Sequence, residues 1–382
     1  MNNYSGAYTR FIRGGKEFFD QLEEMIDHAE NSIHLQTYIF NNDATGMRIA
    51  DALIRAAGRK VQVYMLVDGY ASQGLPNSFI KDIIAAGIHF RFFEPLFASR
   101  RFYFGRRLHH KVVVADACKA LVGGINITDR YNDLPGQQAW FDAALLVEGE
   151  ICVQLYNICR GLWENRRVGR NGSRKQKITP VLSSAAIERH PVRIRRNDWV
   201  KRRYEIKKTY SEFFRYAEES ITIVCSYFLP NQVFRRQLRK ALKRNVKVKV
   251  VLTGLSDVAI TKYAERFLYR WMLRNKIELY EYKPTVLHAK MAIVDKKRLT
   301  LGSYNINNIS EFVSIELNLD VNSRAFVEKV SEEIDTVIQN DCVPIEPSTY
   351  KTTLFNQFLQ WSAFQFIRLL ITLTTFYFRQ GE

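Results

Sequence analysis

The sequence predicts an α/β fold built twice over. Three observations carry this expectation. Strand-like and helix-like stretches alternate along the chain. The same parts recur in the same order in both halves. One pattern, H-x-K-x4-D, closes each series, at residues 109–116 and 288–295. The chain has 382 residues, enough for two domains with sizeable cores, and its 47% apolar content excludes a disordered protein.

The first half opens with a helix over 18–29, with apolar residues at Leu22, Met25 and Ile26. A near-alternating strand over 32–40 follows, then a helix over 47–57 and a buried strand over 61–69. A helix over 78–86, a strand over 88–93, a loop and the strand after His109 complete the series. The second half answers with a helix over 210–217, a strand over 220–228, a basic helix over 233–244 and a strand over 246–253. A helix over 260–273, a strand over 277–282 and the strand after His288 close it. The second copy lags the first by about 180–190 residues throughout. This predicts two pseudo-symmetric α/β/α halves, with mixed or mostly parallel sheets, facing one central active-site cleft. The expected boundaries are a first half at 1–165, a basic connecting segment at 166–205, a second half at 206–345 and an apolar segment at 346–382.

The formal net charge is +17, which attracts anions: nucleic acid, anionic lipid headgroups or phosphorylated substrates. The five cysteines are scattered, without CxxC or Cys/His spacing, so a zinc site and a disulfide framework are not expected; reduced, mostly buried thiols in a cytoplasmic setting are. The N-terminal residues lack the apolar core of a signal peptide. The basic, Gly/Ser-containing run 166–177 is a solvated linker, and either a plain connector or a headgroup-binding segment.

The chemistry lies in the two motifs. In a strand, His109 and Lys111 fall on one face, as do His288 and Lys290, so both members of each pair can address one phosphate. The apolar run that follows ends at Asp116 and Asp295, counted here with the catalytic set. Beyond each aspartate comes a small-residue turn ending in asparagine: Gly123, Gly124 and Asn126 in one half, Gly302, Ser303 and Asn305 in the other. Glycine lets the backbone approach a ligand, and the asparagine can donate to a phosphate or hold the site in shape. Phosphodiester cleavage needs a nucleophile, a proton for the leaving oxygen and compensation of charge on the non-bridging oxygens. One imidazole can attack phosphorus while the other serves as acid and base. Two lysines can carry the compensation often supplied by metal ions, so no metal and no cofactor is expected. Each histidine also needs an orienting carboxylate, for which Asp142 and Glu316 are the candidates.

With its duplicated H-x-K-x4-D and downstream Gly and Asn, the chain resembles the phospholipase D superfamily from about residue 18 to 321, and within it the shorter bacterial cardiolipin synthases. The run Leu66-Val67-Asp68-Gly69-Tyr70 and the basic aromatic run before His109 belong to that resemblance. It implies a phospholipase D-type fold and a metal-independent phosphatidyltransferase. A phosphatidyl group would pass through a phosphohistidine to a hydroxyl of phosphatidylglycerol. By that analogy His109 is the nucleophile and His288 the acid/base; the residues themselves leave the assignment open. The chain departs from the family pattern at Ile309, Ser310 and Ser314, which affects acceptor contacts rather than core chemistry.

Residues 354–378 are apolar and aromatic, with polar residues recurring near one helical face. Three readings stay open: an in-plane amphipathic anchor, a transmembrane helix, or a helix packed on a core or dimer. Trp361 and Arg368 there, and Arg100, Arg101, Arg106 and Arg107 before His109, are expected at lipid headgroups. The expected partners are anionic phospholipid and the membrane surface. The expected location is the cell membrane, peripheral or monotopic on the cytoplasmic side. Water as acceptor, giving a hydrolase, remains an alternative. So does a nuclease, which the charge fits and the apolar tail does not. A non-catalytic lipid-binding protein is disfavoured by two intact motifs.

Overall fold

A computed structural model describes residues 4–95, 106–164, 188–348, 350 and 352–379, with side chains in the last helix described to residue 370. The linker 166–177 lies outside the described residues. The described residues divide into two compact units, one holding 4–95, 107–164, 188–194 and 319–321, the other 106, 195–318, 322–348, 350 and 352–379.

The first unit runs β1 (Ser5–Ile12), α1 (Gly15–Asp27), β2 (Ser32–Thr37), α2 (Ala44–Gly58), β3 (Gln62–Asp68), α3 (Asn77–Ala85) and β4 (His89–Phe93). It continues with β5 (Arg107–Leu108), β6 (Lys111–Ala115), β7 (Lys119–Gly123), β8 (Ala144–Glu148), α4 (Glu150–Trp163) and β9 (Arg189–Asp198). The sheet order is β9–β1–β8–β7–β6–β2–β3–β4. The helical crossovers α2 and α3 make β2, β3 and β4 parallel, whereas the tight β6–β7 turn makes that pair antiparallel. Alternation along β2 divides its side chains. Ile33 and Leu35 join the core with Leu22, Ile26, Ile49 and Leu53, while His34 and Gln36 face α4. Strand β1, absent from the sequence-based expectation, opens on Ser5-Gly6-Ala7 and has little apolar alternation; pairing with β8 and β9 places it.

The second unit runs β10 (Arg203–Tyr204), α5 (Glu205–Tyr216), β11 (Ser220–Cys225), α6 (Gln232–Lys243), β12 (Lys247–Leu255), α7 (Ala259–Arg274) and β13 (Glu278–Val286). Then come β14 (Lys290–Val294), β15 (Arg298–Gly302), α8 (Asn308–Phe312), β16 (Ser314–Asn322), α9 (Arg324–Asp341), β17 (Cys342–Ile345) and α10 (Leu354–Arg379). Strands β15–β14–β11–β12–β13 repeat the order β7–β6–β2–β3–β4, with the same parallel and antiparallel senses. Strand β17 adds an antiparallel edge. Its core includes an aromatic cluster of Tyr210, Phe213 and Phe214 from α5, Phe234 from α6, and Tyr304. Cys152, Cys159 and Cys225 are buried thiols; Cys118 and Cys342 are partly exposed.

Candidate active site

In the first unit, strand alternation separates two adjacent histidines. His109 and Lys111 share a face, and the Tyr38 and His109 rings meet in a T-shaped contact with centroids 4.8 Å apart. Lys111 is buried; its Nζ donates to the His109 carbonyl at 2.6 Å and stands 5.2 Å from the Tyr38 ring centre. His110 points the other way. Its Nε2 lies 2.8 Å from Gln36 Oε1, and Gln36 in turn donates to the Cys159 carbonyl. Burial, reinforced by the charges of Lys111 and His109, brings the His110 pKa down to about 3, so this imidazole is neutral at physiological pH. Asp68 sets the position of the motif: its fully buried carboxylate accepts the Leu108 N–H at 2.7 Å, directly ahead of His109. Burial raises the Asp68 pKa, while Arg107 and three backbone donors oppose the rise.

The second unit repeats this main-chain geometry with other side chains. Lys290, buried, donates to the His288 carbonyl. The N–H of Leu287 donates to Thr253 Oγ1 at 3.1 Å, as Leu108 does to Asp68. Behind Thr253 lies a charged group: Lys262 donates to the Thr253 carbonyl, to Glu265 and to the Tyr269 hydroxyl. Burial would raise the Glu281 pKa, but Lys262, Lys283 and the Tyr269 hydroxyl override it and bring it down to about 2. Ser226, one residue past β11, occupies the place that Tyr38 takes past β2 and donates to Asn305 Oδ1 at 2.8 Å. Neither the Asp68/Thr253 pair nor the group behind Thr253 was singled out by sequence reasoning, although superposing the two repeats sets Asp68 over Thr253.

The two motif aspartates are corrected by the structure. Each lies at the far end of its strand from the histidine, about 17 Å from the lysine by strand rise. Each takes the first central position of a tight hairpin turn: Asp116 and Ala117 have φ of 51° and 53°, Asp295 and Lys296 54° and 51°. The Asp116 carboxylate accepts the N–H groups of Glu30, Asn31 and Ser32 at 2.7–2.9 Å. Asp295 does the same for Glu218, Glu219 and Ser220. These residues clamp β6 and β14 to the turns entering β2 and β11; they do not reach the imidazoles.

The glycines are corrected as well. A Cβ at Gly123 would stand 2.4 Å from the Ala143 carbonyl oxygen, and one at Gly302 would stand 2.2 Å from that of Leu317. Their smallness admits a neighbouring strand rather than a ligand. A Cβ at Gly124 would meet the Asp142 carboxylate at 2.3 Å, whereas Ser303 donates to Glu316. Asp142 and Glu316 are thus buried beside equivalent turn residues. Both asparagines hold the site in shape. Asn126 accepts the Ile39 N–H and donates to the Tyr131 hydroxyl, and Asn305 braces Ser226 and donates its N–H to Ser310.

Of the arginines expected at headgroups, Arg106 is 7% exposed and paired with Asp198 at 2.8 Å, and Arg107 lies 3.6 Å from Asp68. Both are committed to carboxylates, which removes them from that set. Arg100 and Arg101 lie outside the described residues. Trp361 and Arg368 are exposed on α10.

Residues 22–157 and 210–338 each match the family described as "Cardiolipin synthase, PLD-like domain". The chain is 30% identical over 377 residues to cardiolipin synthase B of Salmonella typhimurium, covering 95% of this chain and 88% of that one. It is 29% identical to the Escherichia coli K12 protein of the same name, over the same shares. Cardiolipin synthase 1 of Bacillus anthracis is 28% identical, over 94% of this chain and 68% of that one. Among solved structures, the phosphatidylserine synthase of Haemophilus influenzae superposes with a TM-score of 0.72, covering 97% of both chains at 16% identity. The polyphosphate kinase of Porphyromonas gingivalis gives 0.60 over 96% of this chain and 53% of that one, at 14% identity. At these identities the structural likeness speaks for the fold alone.

Proposed function

Because the chain belongs to the PLD-like cardiolipin synthase family, we propose that it moves a phosphatidyl group from one phospholipid to a hydroxyl of phosphatidylglycerol. One observation carries the proposal most directly. Both halves present an imidazole whose residue is pinned from behind by the preceding N–H and from beside by a buried lysine, in a chain similar throughout to cardiolipin synthases. In the reaction, His109 attacks phosphorus and the bond to the leaving alcohol breaks. His288 gives that oxygen its proton. His288 then takes the proton of the acceptor hydroxyl, which attacks phosphorus and releases the His109 imidazole. Lys111 and Lys290 balance the non-bridging oxygens. No metal is needed, and turnover is expected to persist in EDTA. Asp142 and Glu316 serve as positioning carboxylates. The anionic substrate, the net charge of +17 and the exposed apolar α10 support peripheral action at the cytoplasmic face of the cell membrane. Among the described residues no helix is long and apolar enough to cross a membrane.

The test is a product assay. Purified protein is incubated with phosphatidylglycerol vesicles, with and without phosphatidylethanolamine, and products are resolved by mass spectrometry. Cardiolipin with released glycerol or ethanolamine is expected. His109→Ala should lower turnover by more than about 10³-fold and His288→Ala by about 10²–10⁴-fold. A covalent lipid adduct should accumulate in His288→Ala and be absent in His109→Ala. Phosphatidic acid as the sole product would replace the transferase by a hydrolase. Cleavage of DNA with no lipid turnover would replace it by a nuclease.

A further inference from the structure

Helix α10 carries apolar side chains on two opposite faces, and among the described residues one of them is covered. The covered face lies on α7: Gln360, Ala363 and Ile367 are buried, the Phe364 ring meets Phe267 with centroids 4.9 Å apart, and Arg270 donates to Gln357 at 2.7 Å. On the other face Phe355 is 69% exposed, Phe358 60%, Trp361 46%, Phe366 54% and Leu369 57%. Scattered exposed apolar residues are ordinary; a row of five large ones along one helix is not. The helix has 26 residues, about 39 Å of length. With one face packed on α7, it cannot cross a bilayer without taking α7 with it.

The charge beside this row gives its occupant. Neither α10 nor α6 contains an aspartate or glutamate. Arg236, Arg239, Lys240 and Lys243 of α6 are exposed. Arg235 of α6 stands over the Trp271 ring of α7, the helix on which α10 packs, at 6.0 Å. Burial, then the like charges of Arg239 and of Arg368 on α10, lower the Arg235 pKa. An apolar row on one acid-free helix, with the cations of a second acid-free helix packed on the same α7, matches an anionic lipid surface, apolar at acyl depth and negative at the phosphates.

We infer that α10 and α6 together form a docking surface on which the second half lies flat against an anionic bilayer, with Phe355, Phe358, Trp361 and Phe366 at the acyl boundary and the α6 cations at lipid phosphates. This rests on the lipid-enzyme reading above and adds which surface meets the membrane. It replaces the loop arginines 106 and 107 by those of α6.

The experiment is co-sedimentation with vesicles of equimolar phosphatidylglycerol and phosphatidylcholine, set beside vesicles of phosphatidylcholine alone. The full-length protein should bind the mixed vesicles, and salt should weaken the binding. The triple variant Phe355→Ser/Phe358→Ser/Phe366→Ser should lose binding more than tenfold at every salt concentration. Arg236→Gln/Arg239→Gln/Lys240→Gln should lose roughly 100-fold at low salt, about fivefold per charge, and most of the salt dependence. Brominated lipids should quench wild-type emission beyond that of Trp361→Phe. Both triple variants alter exposed positions, and their melting should match the wild type. Unchanged vesicle binding in both would overturn the inference. So would a dimer that the phenylalanine variant splits without any loss of vesicle binding, which would assign the row to a second copy of the chain. Turnover on detergent-dispersed phosphatidylglycerol, read in parallel, separates the two proposals. Micellar turnover within about twofold of wild type, with vesicle binding lost, supports both. Loss of vesicle binding from a protein without lipid turnover would leave the surface standing and remove the activity.

Discussion

In the first half the residue ahead of the motif histidine hangs from a carboxylate, Asp68; in the second it hangs from a hydroxyl, Thr253, backed by Lys262 and two glutamates. The same contrast runs outward from the motif. Tyr38 packs on His109, whereas Ser226 holds the matching place. His110 and Gln36 form a buried polar chain to Cys159, whereas the matching places hold Ala289 and Val224, both buried and apolar. Gly124 makes room for Asp142, while Ser303 donates to Glu316. What the halves share is main-chain placement: a pinned N–H before the histidine, a lysine folded onto the histidine carbonyl, and an aspartate clamping the hairpin. What they vary is the polarity around that frame. A duplicated site can therefore keep one geometry and still give its two imidazoles different electrostatic surroundings, which a nucleophile and an acid/base require.

The clamp is where the halves should behave most alike, and where substitution should cost most stability. Asp295→Ala strands three backbone donors around a carboxylate that is 3% exposed, and we expect a loss of about 3 kcal/mol or more. Asp116→Ala, at a more open site, should cost about 2 kcal/mol. Denaturant unfolding reads both. If either variant lost turnover as completely as His109→Ala with its stability intact, the aspartates would return to the catalytic set.

Acidification should separate the halves. Burial holds His34 at about 4 and His110 at about 3, both below the ordinary 6.5. Between those values the unfolded chain binds the extra protons. The stability these residues contribute is whole above about pH 6.5 and drains as pH falls through 4 and 3, on the order of 3 kcal/mol for each. The second half has Thr222 and Ala289 at those places. Its acid-sensitive group is Glu281, whose contribution is whole above 4.5 and lost as pH falls toward 2. Hydrogen exchange between pH 7 and 5 should loosen β2 and β6 before β11 and β14, and His34→Thr/His110→Ala should flatten the difference. Simultaneous loosening would erase the distinction.

The turn residues offer the smallest and sharpest contrast. Gly124→Ser forces its Cβ against a buried carboxylate and should cost about 1–3 kcal/mol. Ser303→Gly should cost about 1–2 kcal/mol, because its hydroxyl both donates to Glu316 and accepts the Leu317 N–H. Adding Asp142→Glu to Gly124→Ser transplants the second half's pair into the first, and thermal melting should show partial recovery. No recovery would mean that the halves differ in backbone there, not only in side chain.

Much of this was legible in the residues. The period-two and helical spacings located the main strands and helices, because apolar periodicity reflects the face that each element buries. The repeated motif identified the duplication and paired each histidine with its lysine, since residues two apart in a strand must share a face. Other features were not legible, for one physical reason: they depend on which backbone groups the fold leaves in need of a partner. Asp116 and Asp295 read as catalytic because spacing records order and not direction; only the hairpin turned their carboxylates toward three amides. Asp68 and Thr253 look unrelated until folding brings each under the same N–H. Arg106 and Arg107 read as free cations until Asp198 and Asp68 came within reach. The apolar tail showed itself as two-faced only when α7 covered one side. The sequence by itself determined the repeat, the pairing of each motif histidine with its lysine and the order of the elements around each motif, because these are local in the chain. The tertiary structure decided what each remaining polar group serves, because long-range packing chooses its partner.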